Sequence, residues 1–216
     1  ELLLDKVNKQ ITKECVIGVS GGSTMYYVAG KANETFGYKK KVIITPIRGG
    51  LSVVNTEYQA NDIAAKMANN SGHDYQLLHA PDNIGKKALE ELVKEPVVKN
   101  ALDVIGRTSI IIHSIGNAFE MAHRRKSSME VLKVLEDKKA VSESFGSYFD
   151  KDGKEVFKTS TIGMSFKDVD GINNVFTIVG GEEKADAVYS YLSTKPANAT
   201  LIIDEAICKK IIKKLI

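Results

Sequence analysis

The chain has 216 residues, of which 43% are hydrophobic and 26% are charged, which predicts one globular domain with a full core. The net charge is only +3, whereas domains that bind nucleic acid without help carry a densely basic face, so we do not expect this chain to bind nucleic acid by itself. No apolar run approaches the ~20 residues that a membrane span needs, so we expect a cytoplasmic protein with no membrane segment. Cys15 and Cys208 are expected to be reduced thiols in the core, and neither the cysteines nor the four histidines have metal-ligand spacing.

Short apolar runs alternate with helical patterns along the whole chain. This alternation predicts an α/β fold, with a Rossmann-like, mainly parallel sheet and helices on both faces. Because the residue before a proline avoids helical geometry, the third predicted helix should break at Pro96. The predicted strands are 15–20, 41–45, 75–79, 108–115, 174–179 and 200–203, and the predicted helices are 23–36, 55–70, 85–106, 117–138, 182–193 and 204–216.

One segment departs from this alternation and predicts a β-hairpin insertion. Two strand-like runs, 141–149 and 155–162, flank Asp150-Lys-Asp-Gly153. An Asp-Gly pair favours the left-handed backbone of a tight hairpin turn. The aspartates lack the glutamate that completes a calcium loop, so we interpret the segment as a plain turn.

The first predicted strand, 15–20, is followed by Gly21 and Gly22, then by Ser23, Thr24 and a helical pattern. Glycines at a helix N-terminus let backbone N–H groups approach an anion, most often a phosphate. The two hydroxyls could cap the helix, bind phosphate oxygens, or do both. The turn matches neither the dinucleotide fingerprint nor the nucleoside triphosphate loop, and a capped helix without a ligand remains an alternative.

A second glycine pair, Gly180 and Gly181, follows the fifth predicted strand in the same way. Lys184 falls in the first turn of the next helix, where a cation opposes the helix dipole unless an anion binds nearby. A structural lysine on a solvated turn is the alternative. Two such turns predict a ligand with a phosphate at each end.

Five further positions carry candidate binding or capping chemistry. Arg48 stands beside two glycines after the second strand, where its planar fork can hold two phosphate oxygens, although an exposed salt bridge is also possible. Asn55 is a predicted N-cap, and Gln59 lies one turn further on. Arg124 and Arg125 end a predicted helix, where they suit the dipole and one of them could reach a phosphate.

Carboxylates supply the remaining candidates. Glu143 is polar among apolar neighbours and could accept hydrogen bonds from sugar hydroxyls. Asp204 follows the last strand and either caps the last helix or acts as a general base.

The order and spacing of several short motifs resemble the sugar-binding domain of SorC/DeoR-type bacterial transcription regulators over essentially the whole chain. The matching motifs are Gly18-Val-Ser-Gly-Gly-Ser-Thr24, Pro46-Ile-Arg-Gly-Gly-Leu51, Tyr58-Gln-Ala-Asn61, Glu95-Pro-Val-Val-Lys99, Ile115-Gly-Asn117, Met121-Ala-His-Arg-Arg125, Ser142-Glu-Ser-Phe-Gly-Ser-Tyr-Phe149, Val179-Gly-Gly-Glu-Glu-Lys-Ala185 and Leu201-Ile-Ile-Asp-Glu-Ala206.

The resemblance implies a fold similar to glucosamine-phosphate and ribose-phosphate isomerases, used for sensing without a cofactor and without turnover. It implies that residues 1–216 form an effector domain, with a DNA-binding domain ahead of it that contacts operator DNA, and a homo-oligomer. The chain's start at Glu1 within a helical stripe fits this expectation. Family members that repress glycolytic genes respond to fructose 1,6-bisphosphate, which weakens operator binding.

Carried over position by position, the resemblance assigns a role to each candidate site residue. One phosphate would bind Gly21, Gly22, Ser23, Thr24 and Lys184; the other would bind Arg48 and Arg124; and Gln59 and Glu143 would hold the sugar hydroxyls. The alternative is a sugar-phosphate isomerase with Glu143 or Asp204 as its base.

Overall fold

The computed structural model describes residues 1–50, 56–81, 85–195 and 198–215, which contain ten strands and ten α-helices. The strands are β1 (Glu14–Val19), β2 (Lys41–Pro46), β3 (Asp74–Tyr75), β4 (Thr108–His113), β5 (Gly116–Asn117), β6 (Ser142–Ser144), β7 (Ser147–Phe149), β8 (Glu155–Lys158), β9 (Asn174–Val179) and β10 (Ala199–Ile203). The helices are α1 (Leu2–Asn8), α2 (Ser23–Lys31), α3 (Ala60–Ser71), α4 (Lys86–Leu92), α5 (Pro96–Ile105), α6 (Ala118–Arg124), α7 (Met129–Asp137), α8 (Phe166–Val169), α9 (Ala185–Thr194) and α10 (Glu205–Leu215).

Six strands form one parallel sheet in the order β10-β9-β4-β1-β2-β3. The chain winds outward from β1 to β3, returns to β4 beside β1, and then winds outward the other way. In such doubly wound sheets a crevice opens at the carboxyl ends of the two strands where the winding reverses, here β1 and β4. The predicted α/β fold class is therefore confirmed.

Helices cover both faces of this sheet. On one face α3 sets Ile63 and Met67, one helical turn apart, against the strand residues Ile44 and Ile112. On the other face α5 buries residues at helical spacing, including Ile105, against the remaining strand side chains. Helices α9 and α10 continue that second layer over β9 and β10. Most residues of the central strands β1, β2, β4 and β9 are thus buried between two layers, which explains why these strands read as nearly continuous apolar runs.

Two of the predicted helices are each divided in two. The break at Pro96 is confirmed, since α4 ends at Leu92 and proline occupies the first turn of α5. The predicted helix 117–138 was wrong as one element, because Lys126 adopts a left-handed backbone with φ of 50°. Ser128 then begins α7 by accepting a hydrogen bond from the Val131 N–H.

The predicted insertion is a four-stranded antiparallel sheet in the order β5-β6-β7-β8. The run 141–149, predicted as one strand, folds back at Phe145 and Gly146, whose φ values are 53° and 80°. Two successive positive φ values are the geometry of a two-residue hairpin turn. Helices α6 and α7 pack on this sheet around Tyr148 and Leu135, forming a hydrophobic cluster separate from the main core.

The predicted third strand, 75–79, is much shorter than expected. Asp74 and Tyr75 form the strand beside β2, and the Gln76 N–H still donates to the Ile44 carbonyl. At Leu78 the Asn61 side chain is the hydrogen-bond partner of the main chain. Its amide donates to the Leu78 carbonyl and accepts from the Leu78 N–H, each at 3.0 Å. A side chain thus satisfies the buried main-chain groups that a longer strand would have paired.

Two other expectations concern the cysteines and the membrane. Both cysteines are free thiols, but Cys208 is exposed and Cys15 is only partly buried, so placing both in the core was wrong. Within the described part of the chain, no helix has the length and apolar character to cross a membrane.

The role of Asn61 predicts a measurable loss of stability. Asn61→Ala leaves both buried main-chain groups of Leu78 without partners, so the free energy of unfolding should fall by about 1 to 3 kcal/mol in urea denaturation. Asn69→Ala, an exposed position on the same helix, is the matched control and should not destabilise the protein. Equal stability of the two variants would contradict this role.

Candidate functional site

A cavity of about 400 Å³ opens at the carboxyl edge of the parallel sheet. It is bounded by the turns after β1, β2 and β4, by the N-terminal ends of α3 and α9, and by α6 and β6. The nine residues to which the resemblance assigned a ligand role all line this cavity: Gly21, Gly22, Ser23, Thr24, Arg48, Gln59, Arg124, Glu143 and Lys184.

The first glycine turn has two different requirements for glycine. A Cβ on Gly21 would lie 2.8 Å from the Tyr58 carbonyl oxygen, and Gly22 has a φ of 118°. The Gly22 N–H donates to that same Tyr58 oxygen at 2.8 Å. The glycines therefore fit the turn against Tyr58, and they leave the first turn of α2 facing the cavity.

The two hydroxyls after this turn do not cap α2. Gly22 occupies the N-cap position, so the alternative in which Ser23 or Thr24 caps the helix does not hold. Both residues lie within the first helical turn, whose N–H groups have no acceptor inside the helix. Among the described residues, neither hydroxyl bonds another protein group. Hydroxyls and amides are thus available together at one wall of the cavity.

The second glycine turn is occupied by the protein itself. The Gly181 N–H donates to Asp204 Oδ2 at 2.7 Å, and the turn continues as a 3-10 segment, Glu182–Lys184. The expectation of a second open amide turn was therefore wrong at Gly181. Lys184 is the N-cap residue of α9 and lines the cavity, so this turn contributes a side-chain cation in place of backbone amides.

Asp204 is a capping residue. Its other oxygen accepts from the Ile207 N–H at 2.8 Å in the first turn of α10. These hydrogen bonds, from Ile207 first and then from Gly181, hold the pKa of Asp204 below its ordinary value. Asp204 does not line the cavity, so its alternative role as a general base is contradicted.

Glu143 is the buried centre of the cavity's electrostatics. Its Oε1 accepts from Arg125 Nη2 at 2.9 Å, from the Gly146 N–H at 2.7 Å, and from Arg48 Nη1 at 3.4 Å. Burial by itself would raise the pKa of Glu143, but the charges of Arg125 and Arg48 and the Gly146 amide outweigh it, so the pKa is lowered. The carboxylate is therefore ionised at neutral pH.

The adjacent arginines of α6 have different environments. The Arg124 side chain is 42% exposed and pairs with Glu120 one turn earlier, at the rim of the cavity. The Arg125 side chain is only 6% exposed and lies between Glu143 and the Tyr148 hydroxyl. The sequence shows both arginines, and the resemblance assigned only Arg124 to the ligand. Their different environments depend on which side of the helix end faces the cavity, which the sequence does not show.

Gln59 is the N-cap residue of α3 and lines the cavity without making a capping bond. A Cβ added at Gly50 would lie 2.9 Å from its Oε1, so the glycine leaves room for this side chain. Asn55, the predicted N-cap, lies outside the described residues, and the described helix begins at Ala60.

His113 forms the buried floor of the cavity. Its Nδ1 faces the Ser114 carbonyl at 3.3 Å, which can only accept, so the proton is assigned to Nδ1. Its Nε2 accepts from Thr177 Oγ1 at 2.7 Å and lies 3.2 Å from the Tyr191 hydroxyl. Burial lowers the pKa of His113 to about 4, so the ring is neutral. Sequence reasoning missed this residue, which has no motif.

A doubly wound parallel sheet, with a cavity at its switch point into which several polar side chains converge, defines an α/β domain of the small-ligand-binding class. Residues 3–213 match the family model described as "Putative sugar-binding domain". The chain belongs to this family, the sugar-binding domains of SorC/DeoR-type transcription regulators.

Two curated relatives are both named central glycolytic genes regulator. The protein of Bacillus subtilis (strain 168) is 35% identical over 207 residues, which cover 96% of this chain and 60% of that protein. The protein of Priestia megaterium (strain DSM 319 / IMG 1521) is 34% identical over 203 residues, covering 94% and 58%. The chain thus spans about 60% of the length of these relatives.

Solved structures of similar chains have the same fold. The "putative SorC family transcriptional regulator" from Enterococcus faecalis is 36% identical with a TM-score of 0.91, covering 98% of this chain and 85% of that one. The full-length sorbitol operon regulator SorC from Klebsiella pneumoniae superposes with a TM-score of 0.85 at 17% identity, covering 98% and 69%. The second likeness concerns the fold alone.

The neutral His113 predicts how stability depends on pH. Because its folded pKa is depressed, the unfolded chain binds more protons between pH 6.5 and about 4. The stabilisation is present above pH 6.5 and is lost as pH falls to about 4, by roughly 3 kcal/mol. Urea denaturation at several pH values should show that the free energy of unfolding falls more steeply with decreasing pH in the wild type than in His113→Gln. Parallel pH profiles would exclude this contribution.

Proposed function

We propose that this domain is the effector-binding domain of a bacterial repressor of glycolytic genes, and that it binds fructose 1,6-bisphosphate or a related phosphorylated sugar. The names of the two curated relatives support the regulatory role. The observation that carries the ligand class is the cavity at the switch point, which brings amides, hydroxyls and cationic side chains together.

One phosphate binds at the first turn of α2, where backbone N–H groups, two hydroxyls and the positive end of the helix dipole favour an anion. This position uses Gly21, Gly22, Ser23 and Thr24. Lys184 completes it from the start of α9, where a cation is unfavourable unless an anion lies close by. Among the described residues Lys184 forms no ion pair, so its charge is available to a ligand.

The second phosphate binds at the opposite side of the cavity, with Arg48 and Arg124 as its donors. Arg48 is buried just beyond β2, and Arg124 lies at the rim on the last turn of α6. Guanidinium groups suit this position because their planar fork contacts two phosphate oxygens at once. The sugar then spans the cavity with its hydroxyls near Gln59 and Glu143.

Regulation follows if the ligand binds two conformations of the whole repressor with different affinity. The donors for the ligand belong to two structural units, the parallel sheet and the antiparallel insertion, so a ligand that spans them stabilises one arrangement of the two. We propose that an N-terminal domain carries this change to operator DNA in the cytoplasm, and that the repressor is a homo-oligomer whose geometry responds.

Ligand binding should stabilise the domain. Fructose 1,6-bisphosphate at about 100 times its Kd should add about 2.7 kcal/mol to the free energy of unfolding and raise Tm by several degrees. Lys184→Ala should weaken binding about tenfold to hundredfold in calorimetric titration, because a charge-assisted contact is lost. The exposed Lys99→Ala on α5 is the control. Unchanged Tm at millimolar ligand would contradict the proposal.

An isomerase of the same fold would need a carboxylate that accepts and returns a proton. Glu143 is held between two guanidinium groups and an amide, which favours the ionised form and suits a fixed acceptor. Incubation with aldose and ketose phosphates should therefore give no interconversion by NMR, while binding is retained. Product that disappears in Glu143→Gln would instead establish an enzyme.

A further inference from the structure

The hydrogen bonds of Glu143 are unequally divided between its two oxygens. All three donors described above contact Oε1, from Arg125, Arg48 and the Gly146 amide. Among the described residues, Oε2 accepts from none. A carboxylate held in this way has one oxygen committed to the protein and one left to accept from a ligand in the cavity that Glu143 lines.

Arg125 is the donor whose geometry can fix this arrangement. Its Nη2 is 2.9 Å from Glu143 Oε1, and its Nη1 donates to the Tyr148 hydroxyl at 3.0 Å. The guanidinium carbon lies 6.0 Å from the Tyr148 ring centroid. Tyr148 is fully buried in the hydrophobic cluster of the insertion, so it provides a rigid support. By comparison, Arg48 reaches Oε1 at the longer distance of 3.4 Å.

The contacts of Arg125 to Glu143 and Tyr148 use two nitrogens of one planar guanidinium group. Lysine carries the same charge on a single nitrogen and cannot donate to both partners with that spacing. Charge alone therefore does not reproduce the function of Arg125, and a charge-conserving variant separates orientation from electrostatics.

We propose that Arg125 is a positioning residue: by holding Glu143 Oε1 it directs Oε2 toward the ligand, and it thereby selects ligands that carry a hydroxyl between their phosphates. This inference rests on the proposed function for its ligand class. Arg125 acts through Glu143, whereas the phosphates are bound by other residues.

The test compares two probes that differ only in the part that Glu143 contacts. Fructose 1,6-bisphosphate carries sugar hydroxyls, and 1,6-hexanediol bisphosphate has two phosphates joined by a chain without them. Glu143→Gln and Arg125→Lys should each raise the Kd for the sugar bisphosphate about tenfold. The Kd for the hexanediol compound should stay within about twofold of the wild-type value. The double variant should be no weaker than either single variant, because the residues act as one unit.

Two further measurements keep the test decisive. Tyr148→Phe keeps the ring but removes the hydroxyl that accepts from Arg125. It should therefore weaken binding of the sugar bisphosphate, by less than Arg125→Lys, and leave binding of the hexanediol compound unchanged. This comparison remains available if Arg125→Lys folds poorly. In the free protein, carbon NMR of the Glu143 carboxyl should show a higher pKa in Arg125→Lys. The exposed Arg107→Lys is the matched control and should not change that pKa.

Equal losses for both probes in Arg125→Lys would mean that Arg125 contacts phosphate, and would overturn the inference. An unchanged carboxyl titration would overturn it as well. If the wild type binds neither probe, the proposed function fails, while the carboxyl titration still decides whether Arg125 governs Glu143.

Discussion

The parallel pairing of β1 with both β2 and β4 is the constraint on which the rest of this structure depends. Because the chain reverses its winding between β1 and β4, the segments that follow these strands diverge and leave a crevice. The turn after β2, the start of α9 and the antiparallel insertion then surround that crevice. Residues from distant parts of the sequence therefore meet at one place.

Much of the parallel sheet could be predicted because its strands are buried on both faces and read as apolar runs. Strands β1, β2, β4, β9 and β10 lie within two residues of their predicted bounds. The failures have local physical causes. The Asn61 side chain replaces a strand partner near β3, and the left-handed backbone of Lys126 interrupts a continuous helical pattern. Phe145 adopts a positive φ, which cannot be expected from its residue type.

The site shows a similar division between what sequence can and cannot indicate. Glycine turns and polar residues at strand ends are visible in sequence, and the nine residues assigned to the ligand all line one cavity, whereas Asp204 does not. Hydrogen-bond partners are not visible. Gly181 has its amide taken by Asp204, and burial distinguishes Arg125 from Arg124 although the two are neighbours. Only the three-dimensional arrangement distinguishes an exposed residue at the rim of the cavity, such as Arg124, from a buried one that holds another side chain, such as Arg125.

The antiparallel insertion has its own hydrophobic cluster around Tyr148 and Leu135, built from α6, α7 and the small sheet. It supplies Arg124, Arg125 and Glu143 to the cavity, whereas the parallel sheet supplies the glycine turn, Arg48 and Lys184. Substitutions inside that cluster need not disturb the main core, because the two sets of side chains pack separately. Under the proposed function, exchange of this unit would replace the contacts to the sugar hydroxyls and the Arg124 contact to one phosphate, whereas the glycine turn, Arg48 and Lys184 would stay on the parallel sheet.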